Sequence, residues 1–123
     1  MGLDEPTALK IASGFGGGCA GLGLTCGAVS GAFMVIGLQS GHVRGDDAAA
    51  KQNTQALIRR FGRQFIARNK SLNCTELLGC DLGAPGGLEQ ARSQNLFTTI
   101  CPKLVRDAAE ILEEMNTAKP VTT

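Results

Sequence analysis

Residues Ile11 to Gly41 read IASGFGGGCAGLGLTCGAVSGAFMVIGLQSG and carry no charge. Ten of them are glycines, and two of the chain's five cysteines, Cys19 and Cys26, lie among them. The first half is too rich in glycine for a stable regular element, because glycine loses the most backbone freedom on ordering. The second half, Cys26 to Leu38, is a dense apolar run. The reading is a flexible glycine turn, Gly14 to Gly23, feeding a buried helix with Thr25 as N-cap and Cys26 in its first turn. That places a thiol at a positive helix end. As a helix, the 26–38 run covers roughly 20 Å, too little for roughly 30 Å of hydrocarbon, so a core helix is expected and not a transmembrane span. Gly27 and Gly31 add GxxxG spacing, which permits close approach of another backbone.

Working outward, Asp4-Glu5-Pro6 opens a short helix that ends at Ser13-Gly14. Downstream of the polar break 39–45, Asp46-Asp47 starts a helix to about Asn69, with Leu57, Ile58, Phe61 and Phe65 at helical spacing. Arg59, Arg60, Arg63 and Arg68 read as its solvated face. Asn73-Cys74-Thr75-Glu76 has the letters of a capping box and opens a helix of one or two turns that stops at Gly79. Residues 80–87 form a loop. The last segment, Leu88 to about Met115, carries one apolar stripe through Phe97, Ile100, Cys101, Leu104, Val105, Ala108, Ile111, Leu112 and Met115. Pro102 either kinks this helix or starts a new one with Cys101 as cap. The tail 116–123 is expected to be flexible. No run of alternating β-branched residues appears. The expected fold is all-α: one domain over residues 1–123, a bundle of four to six helices with a glycine-rich loop.

The chain has 123 residues and a net charge of +1. No global field selects nucleic acid or a membrane surface, and without Trp or Tyr base stacking is poorly supplied. Five cysteines at irregular spacing argue against a secreted disulfide framework and for a reducing, cytoplasmic setting. No signal peptide is visible. Cys26, Cys74 and Cys101 each fall where a helix begins or is broken, which makes them candidate thiolates. There is no CxxC or CxxCH, no Walker lysine, and the GxGxxG-like glycines follow no strand. The lone His42 lies in a polar loop without a nucleophile partner. Asp46-Asp47 and Glu113-Glu114 read as helix-end charges.

Ser13-Gly-Phe-Gly-Gly-Gly18, Cys26-Gly-Ala-Val-Ser-Gly31, Met34-Val-Ile-Gly-Leu38, Cys74-Thr-Glu-Leu-Leu-Gly79, Asp81-Leu82 and Cys101 with Val105, Ala108 and Leu112 together resemble the C_GCAxxG_C_C family of redox-active proteins. The resemblance spans nearly the whole chain. It implies a small helical redox domain, of the kind that also occurs in the split-Soret cytochromes beside an iron–sulfur cluster and haem. Cys26, Cys74 and Cys101 match family cysteines. Such proteins usually begin with one more helix carrying a cysteine, and this sequence starts where that helix would end. Cys19 and Cys80 lie outside the pattern.

Three functions from different classes follow. The first is electron transfer through an iron–sulfur cluster on Cys26, Cys74, Cys101 and a fourth ligand, with 2Fe-2S favoured over 4Fe-4S and glycine N–H groups tuning its potential. Cys19 ranks first as fourth ligand, ahead of Cys80 or a partner chain. The second is metal-free thiol/disulfide exchange between Cys26 and Cys74 or Cys101. The third is a non-redox interaction module using the GxxxG face. A redox protein partner or a homodimer is expected, and no catalytic constellation is complete.

Overall fold

A computed structural model describes residues 2–117. Eight helical segments follow one another: α1 Glu5–Ala12, α2 Gly16–Cys19, α3 Gly27–Ser40, α4 Ala48–Asn69, α5 Cys74–Leu78, α6 Gly87–Ser93, α7 Leu96–Thr99 and α8 Cys101–Thr117. Two of them, α2 and α7, are single turns. Among the described residues there is no strand, only one isolated antiparallel bridge, Thr25 to Asn73. The fold is all-α, as the periodicities predict.

Capping residues set the ends. Asp4 accepts from the Thr7 N–H, and Asp47 accepts from the Ala50 N–H, so α1 and α4 begin where acidic caps stand. Asn73 accepts from the Glu76 N–H and caps α5. The expected reciprocal half is replaced: the Asn73 N–H donates to Ser71 Oγ.

Helices α3, α4 and α8 pack on one another around the main core. Val29, Ala32 and Ile36 come from α3, Phe61 and Phe65 from α4, and Leu104, Ala108 and Ile111 from α8. Phe61 and Phe65 stack at 5.9 Å, and Phe33 meets Phe61 edge-on. Asp107 fastens α8 to α4: Lys103 Nζ lies 2.6 Å and Arg68 3.4 Å from its carboxylate. Arg68 also reaches Glu110 and Glu114, so it is bonded across helices and not merely solvated. Burial alone would push the Asp107 carboxyl up, but the Lys103 hydrogen bond and the neighbouring cations outweigh it and hold it below its ordinary value.

Several expectations are corrected. Helix α3 is enclosed on one face only. Leu38 is half exposed, and Gly31, Met34 and Val35 line an open apolar groove with Leu3, Ile11 and Leu38. No residue of α1 is buried. The segment from Leu88 breaks twice: at Gln94-Asn95, where Asn95 takes a left-handed conformation, and at Ile100. Asn tolerates that region better than most residues. Cys101 is then the first residue of α8, and Pro102 sits in its first turn. Helix α8 continues through Asn116 and Thr117, and the remainder of the expected flexible tail lies outside the described residues. No described helix is long and apolar enough to cross a membrane.

Candidate functional site

The glycine turn is more ordered than its composition predicts. Gly17, Gly18, Cys19, Ala20 and Gly21 all have positive φ, so the chain makes one left-handed turn. Glycine accepts this freely, whereas Cys19 and Ala20 each cost about 1–2 kcal/mol there. The turn is tied forward by Gly23 N–H to Gly17 O at 3.1 Å and Leu24 N–H to Gly18 O at 2.9 Å. At Gly18 a Cβ would stand 2.5 Å from the Leu24 nitrogen and 2.7 Å from Cys74 Cβ. Only glycine lets this backbone lie against Cys74.

Just past the turn, residues 24–26 pair with residues 72–74. The Cys26 N–H donates to Leu72 O at 2.8 Å, and the Cys74 N–H donates to Leu24 O at 2.6 Å. Thr75 Oγ1 adds a bond to Gly23 O at 2.8 Å. This two-sided clasp recruits Thr25 into the bridge, so Thr25 does not cap α3. Cys26 takes the N-cap place instead, with extended ψ and no side-chain cap bond. The clasp brings the start of α3 beside the start of α5.

A cavity of about 260 Å³ opens at this junction. Cys26, Cys74 and Cys101 all line it, one from the start of each of α3, α5 and α8. Gly16, Gly17 and Gly18 form a wall made of backbone, and Phe97, Leu104 and Val105 are among the apolar residues on its other sides. Cys26 belongs to the main core, whereas Cys74 belongs to a second, smaller cluster with Leu78, Cys80, Leu82 and Ala91. The cavity therefore lies on the seam between the two clusters. Gly27, beside Cys26, packs against the Phe15 carbonyl, so the first GxxxG glycine serves the turn. Gly31, the second, faces the open groove.

The other two cysteines do not line the cavity. Cys19 lies in the middle of the left-handed turn, immediately after its glycine wall, and is partly exposed. Cys80 is buried, and its Sγ donates to Gly87 O at 3.2 Å. This enclosure has no counterpart in the loop reading of residues 80–87, because the loop closure that produces it leaves no periodic trace. His42 is exposed in the 41–47 connection and does not line the cavity.

At Cys74 and Cys101 electrostatics correct the expectation of depressed thiol pKa values. Burial, and then the neighbouring Cys26, Cys101 and Cys80, push the Cys74 thiol up to about 11. Burial and Cys26 also push Cys101 up. A helix of five residues supplies little field at Cys74, and desolvation wins. Among the described residues no three His, Cys, Asp or Glu side chains form a group for a single metal ion.

Residues 1–115 match the family model described as "Putative redox-active protein (C_GCAxxG_C_C)", and the chain belongs to that family. No curated protein and no solved structure matches the chain.

Proposed function

We propose that this chain is an electron-transfer protein whose working site is the cavity between α3, α5 and α8, and that the site takes an iron–sulfur cluster. The observation that supports this reading is the convergence of Cys26, Cys74 and Cys101 on one cavity with a glycine backbone wall. A single metal ion needs its thiolates at about 2.3 Å from one point. A cavity lined by three thiols has room for a polynuclear group. When bound, such a cluster supplies one-electron chemistry.

Within this reading Cys26, Cys74 and Cys101 ligate. Cys19, next to the glycine wall, provides the fourth thiolate, and two irons are expected over four. Phe97, Leu104 and Val105 give the site an apolar side. The glycine backbone lets the main chain approach where a side chain would intrude. A redox protein partner in a reducing cytoplasm suits the free thiols.

Metal-free exchange is less well supplied. A thiol at about 11 is ionised in roughly one molecule in ten thousand at pH 7, and exchange needs the thiolate. Metal binding instead displaces the proton outright. Anaerobic reconstitution with iron and sulfide tests the proposal. Charge-transfer absorption with about two irons per chain is expected, and Ser replacements at Cys26, Cys74 or Cys101 should each abolish it. A colourless, iron-free product rejects the cluster.

A further inference from the structure

Cys80 is the one buried thiol that the cavity does not use. Helix α5 ends at Leu78, and Gly79 follows in the left-handed conformation. The N–H groups of Gly79 and Cys80 both turn back to the Thr75 carbonyl, Cys80 at 3.2 Å. This is a Schellman-type ending, in which the second residue past the cap folds over the start of the helix's last turn. The residue one place before Thr75 is Cys74. Both thiols are buried in the same small cluster with Leu78, Leu82 and Ala91. Cys80 is also among the neighbours whose charge is felt at Cys74. Cys74 lines the cavity, whereas Cys80, bonded to Gly87 O, does not.

We propose that Cys74 and Cys80 form a dithiol switch that closes to a disulfide under hydroperoxide and withdraws Cys74 from the cavity. The small thiolate fraction of Cys74 attacks one peroxide oxygen and the O–O bond breaks, a slow step that the cleavage makes irreversible. Cys74 becomes a sulfenic acid, and the departing oxygen leaves as water after taking the thiol proton. The Cys80 sulfur then attacks the Cys74 sulfur, the S–O bond breaks, and a second water leaves with the Cys80 proton. Two thiols give up two electrons, and one hydrogen peroxide becomes two waters. Pairing with Cys80 also protects Cys74 from irreversible oxidation. The effect on the cavity rests on the cluster reading above, whereas the pairing itself does not.

Peptide mapping of the full chain separates the two. Residues 71–92 hold both cysteines and no internal Lys or Arg, so trypsin releases them on one peptide. After hydrogen peroxide treatment of the iron-free protein and alkylation of the remaining thiols, this peptide should be unalkylated at both cysteines and lighter by about 2 Da, the two lost hydrogens. A principal product that joins Cys74 to Cys26 or Cys101, or that leaves Cys80 alkylated, overturns the proposal. Cys80→Ser keeps a hydroxyl donor for Gly87 O, and its Cys74 should stop at the sulfenic acid and react with dimedone. On reconstitution Cys80→Ser should take up as much iron as the unaltered chain. Loss of iron in this variant makes Cys80 a ligand and overturns the switch. If neither protein takes up iron, the cluster reading fails, while the peptide mass still decides the pairing.

Discussion

Phe61 and Phe65 fill the main core with stacked rings that have no exposure, held between α3 and α8. At the cysteine end the one side chain with no exposure is Ala91, and Cys74, Leu78, Cys80 and Leu82 keep only small exposed fractions. There the chain is held by backbone: the clasp of residues 24–26 with 72–74, the left-handed turn, and glycine pressed against Cys74. A core built from large side chains owes its stability to transferred apolar area. A site built from main chain owes its shape to positions where a Cβ has no room. The first can lose a methylene and persist. The second is sensitive to a single carbon.

The largest effect should come from the core. Phe61→Ala removes a fully enclosed ring and its contacts with Phe33 and Phe65, and should cost about 3–5 kcal/mol in urea unfolding. A cost below about 1 kcal/mol would place the main stability elsewhere.

Gly18→Ala attacks the other region. The added carbon meets the Leu24 nitrogen and Cys74 Cβ in a left-handed backbone, so about 2–3 kcal/mol should be lost, and iron uptake with it. Gly31→Ala is the matched control. Nothing stands within 4 Å of its added carbon, and a helical Gly-to-Ala change should raise stability by about 0.5–1 kcal/mol. Equal effects at the two glycines would erase the contrast between the regions.

The smallest expected loss is electrostatic. The folded-state pKa of Asp107 lies below its ordinary value, so its contribution is present above the unfolded pKa, about 3.9, and is lost as pH falls through the folded value. Both cationic partners are partly exposed, which discounts the pair. Asp107→Asn should cost about 1 kcal/mol at pH 6, and the gap to the unaltered chain should narrow by pH 3. Denaturation at the two pH values, with iron uptake unchanged, checks that this network serves the core and not the cysteines.

Much of this was legible in the sequence. The acidic caps at Asp4 and Asp47, the Asn73 cap and the Gly79 stop fixed helix ends within a residue or two, because caps act locally. The stripe through Leu104, Ala108 and Ile111 marked the buried face of α8. What escaped was non-local. Thr25 carries every sign of an N-cap, yet pairing with Asn73 outcompetes that role. Five successive positive φ values at residues 17–21 include Cys19 and Ala20, which local preference would not choose. The enclosure of Cys80 depends on a loop carbonyl, Gly87 O, that no spacing announces. Membership of the C_GCAxxG_C_C family followed from short blocks, whereas the shared cavity needed the folded chain.

The clasp has a consequence in time. Thr75 Oγ1 and Gly23 O are 52 residues apart, and the 22-residue α4 lies between them. A ribosome emitting this chain releases Cys26 long before Cys74 and Cys101. Contacts across such a separation wait for loop closure, which slows their formation relative to local helix. The nascent chain therefore carries Cys26 without its partners until residue 101 has emerged, and any group bridging all three can be inserted only after that point.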